Sequence, residues 1–412
     1  MKKIILALSI LTLCSCKKDV SQELTTKHTE FKSGTYRATL QVKDQKELPF
    51  VFKVDDSKKM IIYNAEEEIL VDDITVVGDS IHILMPVFDA KVDAVIDERG
   101  NLKGHYLKGP KHIKVPFEAM YDVHFRYPTI SKNHQPIAGN WEVTFNPNTE
   151  GSYKAKGVFK DGVDNKISGT FLTETGDYRF LEGALDGNRL NLSCFDGAHA
   201  FLFDGEVKND SITSGMFYSG NHYSEPWVAV RNENFELTDP NTLTYLKDGF
   251  DKIEFTFPDL SGKSVSLNDD QFKGKAVVVQ IMGSWCPNCL DESKYLSQFY
   301  KDNKNDNFEI VALAFENAKT IETVTSNLNR LKERIGIDYP ILIAQIGSVD
   351  KKLAAEKLPM LNHILSYPTT IFIDKKGTVR KIHTGFSGPA TGDKYEKFKH
   401  EFERFVKTLS NE

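Results

Sequence analysis

The residues best suited to chemistry are Trp285-Cys286-Pro287-Asn288-Cys289. Just before them, Val277–Met282 (VVVQIM) is continuously apolar, as in a central strand buried on both faces. After Pro287, Cys289, Leu296 and Tyr300 follow at spacings of 7 and 4, one face of a helix. The cysteine pair therefore falls at a strand-to-helix junction. Backbone N–H groups and the helix dipole stabilise an anion there. A thiol in that position can drop from about 8.5 into roughly the 3.5–7.5 range, and only the thiolate attacks a disulfide. Pro287 suits the first helical position, where its missing N–H costs nothing. The two intervening residues put Cys289 one turn on, within reach of Cys286. The spacing predicts Cys286 as an exposed nucleophile, Cys289 as a buried resolving thiol, and a redox disulfide Cys286–Cys289.

Other uses of a Cys-x-x-Cys pair fit less well. Structural zinc wants a second Cys or His pair, and none is evident in this region. Covalent haem wants His directly after the second cysteine, where Leu290 stands. A purely structural disulfide leaves Trp285 and the junction unexplained. His82, His105, His199 and His222 lie scattered without ligand spacing, so neither a metal nor a cofactor is expected.

The elements that must position the pair are legible as well. Phe255–Phe257 and Ser264–Leu267 flank a Ser-Gly-Lys turn, and Phe308–Phe315 is a further strand. Ile321, Val324, Leu328, Leu331 and Ile335 step by 3 and 4, and Gly336 is a stop. Thr369–Asp374 and Val379–Thr384 read as strands joined by Lys375-Lys376-Gly377. Tyr395, Phe398, Phe402, Phe405 and Leu409 form a last amphipathic face, with Asp393 available as N-cap. Strands alternating with helices mean an α/β sheet.

Residues 253–412 resemble the thioredoxin-fold domain of the TlpA-like thiol-disulfide oxidoreductases. FTFPDLSGKSVSLNDDQFKGK (255–275) is similar to that family's opening hairpin and Gly-Lys entry to the central strand, and Trp285-Cys286-x-x-Cys289 to its active site. Tyr367-Pro368-Thr369-Thr370, with Phe372 and Asp374, resembles the family's YPTTxFxD segment. The resemblance implies a cis proline at Pro368 beside the dithiol, with the Tyr367 backbone free to pair with an extended substrate chain. It implies a substrate groove formed by Trp285, Pro287, Asn288, Tyr367, Pro368 and Gly385. It further implies client proteins carrying disulfides and, in an oxidising compartment, a reductant recharged by a membrane electron donor.

The chain departs from the pattern in three places. Gln280 stands six before the nucleophile, where thioredoxins often bury an acid that helps deprotonate the resolving thiol. Glu292, on the acidic position three after the second cysteine, and Glu316, at a strand end, read first as surface or capping carboxylates; either could substitute in such a proton relay. Lys294 replaces a frequent proline, which predicts an unkinked helix. Pro287-Asn288 replaces Gly-Pro, so the reduction potential does not carry over.

The rest of the chain places this domain. The 412 residues predict two to four domains. With 52 basic against 58 acidic residues there is no basic footprint, so no nucleic-acid partner is expected. Lys2, Lys3 and the apolar run Ile4–Leu13 read as a signal peptide over 1–15, too short to span a bilayer. Leu13-Cys14-Ser15-Cys16 resembles a bacterial lipobox, which implies lipidation of Cys16, a membrane anchor, and a place in the cell envelope facing the periplasm. Residues 16–33 are polar and read as a tether.

From 34 to 235 short β runs alternate with turn residues, and the pattern repeats. Gly34-Thr35-Tyr36-Arg37-Ala38-Thr39-Leu40 is similar to Gly139-Asn140-Trp141-Glu142-Val143-Thr144-Phe145, and two later segments match at offsets of 107 and 111. This predicts two related antiparallel β modules, 34–128 and 129–235, followed by a linker at 236–252 around Asp239-Pro240 and the α/β domain at 253–412. Cys194, alone in a strand-like run, reads as a buried apolar side chain.

Three other functions compete. The β modules of a binding lipoprotein could carry its activity. A peroxiredoxin-like peroxidase resembles Thr-x-x-Cys, but Gly283 holds the threonine position. A copper-delivery protein resembles Cys-x-x-x-Cys plus a distant histidine, for which His383 is available at the wrong cysteine spacing.

Overall fold

The computed structural model describes residues 29–109, 113–131, 135–303 and 307–412. The expected signal peptide, Cys14, Cys16 and residues 17–28 of the tether lie outside the described residues.

Alternation of period 2 drives the first half of the fold. In β1 (Gly34–Gln41), Tyr36, Ala38 and Leu40 are buried while the residues between them are only half-buried. β2 (Glu47–Val54), β3 (Met60–Asn64), β4 (Glu67–Val71), β5 (Asp73–Val77), β6 (Ser80–Leu84), β7 (Ala90–Ile96), β8 (Leu102–Lys108) and β9 (Ile113–Tyr121) complete a nine-stranded antiparallel sheet in the order β4-β3-β2-β1-β9-β8-β7-β6-β5. Its two edges, β4 and β5, do not pair, so the sheet stays open. Phe195, Ala200 and Leu202 of the next module finish its core.

The second module repeats the order with β10 (Gly139–Phe145), β11 (Tyr153–Asp161), β12 (Lys166–Thr173), β13 (Gly176–Asp177), β14 (Leu181–Asp186), β15 (Arg189–Phe195), β16 (Ala200–Lys208), β17 (Ser211–Ser219) and β18 (Tyr223–Arg231). Here β12 pairs with both β11 and β14, which closes a barrel. Trp141, Phe145, Phe159, Phe171, Phe203 and Trp227 fill it. The repeat extends to side-chain bonds. Tyr36 Oη donates to the Lys32 carbonyl (3.0 Å) and Trp141 Nε1 to the Ile137 carbonyl (2.9 Å), each four residues back.

A segment that includes α1 (Pro240–Leu243) is stitched along the last domain. Lys247 N donates to the Met360 carbonyl and Val379 N to the Asp251 carbonyl, both at 2.8 Å. A hairpin of β19 (Thr256–Pro258) and β20 (Ser264–Ser266) precedes the central strand β21 (Ala276–Met282), which is buried at all seven positions. With β22 (Phe308–Phe315), β23 (Ile341–Gln345), β24 (Thr369–Ile373) and β25 (Val379–Thr384) it forms a five-stranded sheet ordered β23-β22-β21-β24-β25. β22 runs parallel to β21 and β24 antiparallel.

The helices are α2 (Pro287–Asn303), α3 (Ile321–Ile335), α4 (Lys351–Lys357) and α5 (Asp393–Asn411). α3 is capped by the Thr320 hydroxyl and stopped by Gly336 in the left-handed region. Asp393 is the first residue of α5, not its cap. Gly392, at φ 56°, makes the entry, and Asp393 adds its charge to the first turn.

Candidate active site

β21 delivers the chain to Gly283, and three contacts hold the turn that follows. Ser284 donates through its N–H (2.7 Å) and hydroxyl (2.6 Å) to the two carboxylate oxygens of Glu316, just past the end of β22. Trp285 Nε1 donates to the Phe315 carbonyl (2.9 Å). A Cβ at Gly283 would lie 2.3 Å from Trp285 Nε1, so position 283 has no room for the threonine of a peroxidase site.

α2 then starts at Pro287 with Cys286 ahead of it. The Cys286 sulfur accepts the Cys289 N–H (3.2 Å) and faces the Tyr367 carbonyl (3.4 Å). Both cysteines are thiols. Cys289 is fully buried, and burial, followed by the neighbouring Cys286 sulfur, pushes its thiol up. Cys286 is not the exposed nucleophile that spacing predicts. It is only 6% accessible, with the Tyr367 carbonyl and the Cys289 N–H at its sulfur, and it lines a cleft that residues of the second module also line.

The groove residues come together. The Tyr367–Pro368 peptide is cis. The Trp285 and Tyr367 rings meet edge-on at 5.5 Å. Gly385 N donates to the Pro368 carbonyl (2.9 Å). Gly385 sits at φ 76°, and a Cβ there would lie 2.9 Å from the Thr175 carbonyl carbon. This end of the groove is therefore filled by the β12–β13 turn of the barrel. Ser366 Oγ donates to the Thr175 carbonyl (2.6 Å), and Asn288 Nδ2 to the Asp177 carbonyl (3.1 Å).

Both carboxylates weighed as relays are buried, and neither lies on the surface. Glu316 caps the turn at Ser284, and burial raises its carboxyl. Glu292 accepts from Gln280 Nε2 (2.8 Å) and Thr370 Oγ1 (2.6 Å), and burial pushes it up to about 7. Gln280 accepts in turn from the Ser293 hydroxyl (3.1 Å). The acid missing from β21 thus arrives from α2, held by the glutamine in its place. The signal was available: Glu292 lies three after Cys289 and four before Leu296, on the same helix face.

A buried cluster beside the dithiol was missed. Arg179, 2% exposed, donates to the Pro287 carbonyl (3.1 Å) and to Asp291 in the first turns of α2. It also meets Glu67 of the first module and Asp196 (3.0 Å) of its own. Burial alone would lower the guanidinium; Asp291, Glu67 and Asp196 outweigh it and raise it. Asp177 accepts from the N–H groups of Gly388 and Arg179, and burial pushes it up to about 6.

Cys194 is buried in the barrel core, with its thiol raised by burial. His383 Nδ1 is bonded to Asn241 Oδ1 (3.0 Å). Among the described residues no group of His, Cys, Asp and Glu is placed to hold a metal. No described helix is long and apolar enough to cross a membrane.

A dithiol at a strand–helix junction, facing a cis proline on a five-stranded mixed sheet, defines a thioredoxin-fold redox domain. Residues 251–382 match the AhpC/TSA family. The thiol-disulfide oxidoreductase ResA of Geobacillus thermodenitrificans is 31% identical over 132 residues, which are 32% of this chain and 66% of that protein. ResA of Halalkalibacterium halodurans is 30% identical over 33% of this chain and 68% of its own length. The thioredoxin-like protein YneN of Bacillus subtilis is 30% identical over 34% and 73%. Just under two thirds of the first of these relatives is spanned. A thiol:disulfide interchange protein of the thioredoxin family from Chlorobium tepidum, of known structure, aligns at 23% identity and TM-score 0.30, covering 40% of this chain and 99% of that one. The chain belongs to the TlpA-like thiol-disulfide oxidoreductases of the thioredoxin fold.

Proposed function

We propose that this protein is a lipid-anchored, periplasm-facing reductase of disulfides in client proteins. The observation that supports this best is the placement of the Cys286 sulfur, which accepts the Cys289 N–H at the start of α2 beside the Tyr367 carbonyl. In this reading the Cys286 thiolate attacks one client sulfur. The other leaves as a thiolate and takes up a proton, and a Cys286–client disulfide remains. Cys289 then loses its proton to Glu292, which exchanges one near neutral pH, and attacks the Cys286 sulfur. The second client thiol is released and the Cys286–Cys289 disulfide forms, so two electrons have passed to the client. A membrane-bound dithiol donor returns the enzyme to its reduced form. The anchor is Cys16.

Purified protein should reduce insulin or a model cystine peptide, and Cys286→Ser should lose this activity. Equal rates in the two proteins would sink the proposal.

A further inference from the structure

The Cys286 sulfur opens onto a cleft of about 780 Å3, inside the range of roughly 300–1,000 Å3 common for ligand sites. Trp285 and Cys286 stand on one side. Across from them are Tyr153, Tyr178, His199 and Phe201, all from the second module.

These rings are held in place. Tyr153 donates its hydroxyl to the buried Glu225 carboxylate (2.7 Å) and stacks on Phe145 at 4.9 Å. The His199 ring stacks on Phe201 at 4.3 Å, with Nδ1 3.2 Å from Asp196. Tyr178 meets Phe201 edge-on at 5.4 Å. The charges around this wall already have partners: Glu225 takes Tyr153 and Tyr223, Asp196 takes His199 and Arg179, and Lys154 takes Glu142.

We propose that this barrel wall is the specificity-determining half of the substrate site, and that it selects a polypeptide segment with an aromatic or branched aliphatic side chain next to its half-cystine. The inference rests on the reading that Cys286 reduces client disulfides, and it names the class of client. Aromatic faces opposite the nucleophile favour ring and aliphatic partners. A charged side chain packed against these rings would lose its water.

The test uses the full chain and two cystine peptides that differ only in Phe or Asp beside the half-cystine. Wild type should prefer the Phe peptide by about tenfold in kcat/KM. His199→Ala, at a ring 29% exposed, should cut that preference by about threefold through loss of one stacked ring. Equal kcat/KM for the two peptides in wild type overturns the inference without reference to any variant. A preference that survives His199→Ala intact overturns the role of the barrel wall. Failure of wild type to reduce either peptide, or undiminished reduction by Cys286→Ser, overturns the reductase reading itself and this inference with it.

Discussion

The β3–β4 hairpin of the first module turns at Asn64-Ala65-Glu66 and reaches into the second. Asn64 accepts the Phe195 N–H (3.2 Å) and donates to the Phe195 carbonyl (2.9 Å), Ala65 N donates to Glu182 (2.7 Å), and Glu67 meets Arg179. The corresponding β12–β13 hairpin of the second module turns at Glu174-Thr175 and reaches the dithiol, through Ser366, Asn288 and the close approach to Gly385. One element of a repeated sheet is used twice, head to tail. The modules differ in what remains around it. The first stays open and borrows side chains of the second to finish its core. The second closes on its own core, and its hairpin and the aromatic rings at the edge of that core, Tyr153, Tyr178 and Phe201, face the chemistry. Dithiol geometry in this chain is therefore set partly by residues more than a hundred positions away. Arg179 ties both hairpins to α2.

Arg179 is where the two modules and α2 can be separated. Arg179→Met leaves Asp291, Glu67 and Asp196 buried without their cation, and losing one partner of a buried ion cluster costs about 3–5 kcal/mol. Guanidinium unfolding should show that loss. A change under about 1 kcal/mol would mean the carboxylates find other partners and the hub does not join the modules.

Glu292 tests the domain side. Its carboxyl stands at about 7 when folded against 4.5 for an ordinary glutamate. A raised carboxyl gives a contribution that is complete below pH 4.5 and is lost as pH rises through 7. The full span is about 3 kcal/mol. Unfolding at pH 4.5 and pH 8 should therefore show a fall in wild type that is smaller in Glu292→Gln. The same pH slope in both proteins would remove Glu292 as the titrating group.

Asn64→Ala strips the first hairpin of its bonds to Phe195 and should cost about 2 kcal/mol, read as a lower midpoint for the β modules. Dithiol turnover per folded molecule should fall less than in Gly385→Ala, where the new Cβ presses on Thr175. The reverse order would contradict the division of labour between the hairpins. The exposed Lys160–Glu66 pair, 3.4 Å apart at the turn of the first hairpin, should matter least. Lys160→Ala is expected within about 0.5 kcal/mol of wild type.

The domain carrying the dithiol was readable because its signals are local. A strand apolar at every position but Gln280, a proline after the first cysteine and Gly336 each act within a few residues, and the cis proline came from a resemblance carried by Tyr367-Pro368-Thr369-Thr370. The repeat showed in Gly34-Thr35-Tyr36 against Gly139-Asn140-Trp141, and the matched Tyr36 and Trp141 bonds give it a physical basis. Arg179 was not readable. In sequence it is one cation between Tyr178 and Phe180, and its carboxylate partners Glu67 and Asp291 each lie 112 positions away. The low exposure of Cys286 was not readable either, since the Tyr367 carbonyl at its sulfur lies 81 positions away. Asp393 was placed one position late because Gly392 can take a left-handed entry that other residues take at a cost.

In the proposed cycle Cys286 attacks and Cys289 resolves, and covalent trapping separates the two roles. Cys289→Ser, incubated with a cystine peptide or protein client, should accumulate a mixed disulfide on Cys286 that dithiothreitol releases and mass spectrometry locates. Cys286→Ser should accumulate none. No adduct on Cys289→Ser, or equal adduct on the two variants, would contradict the account.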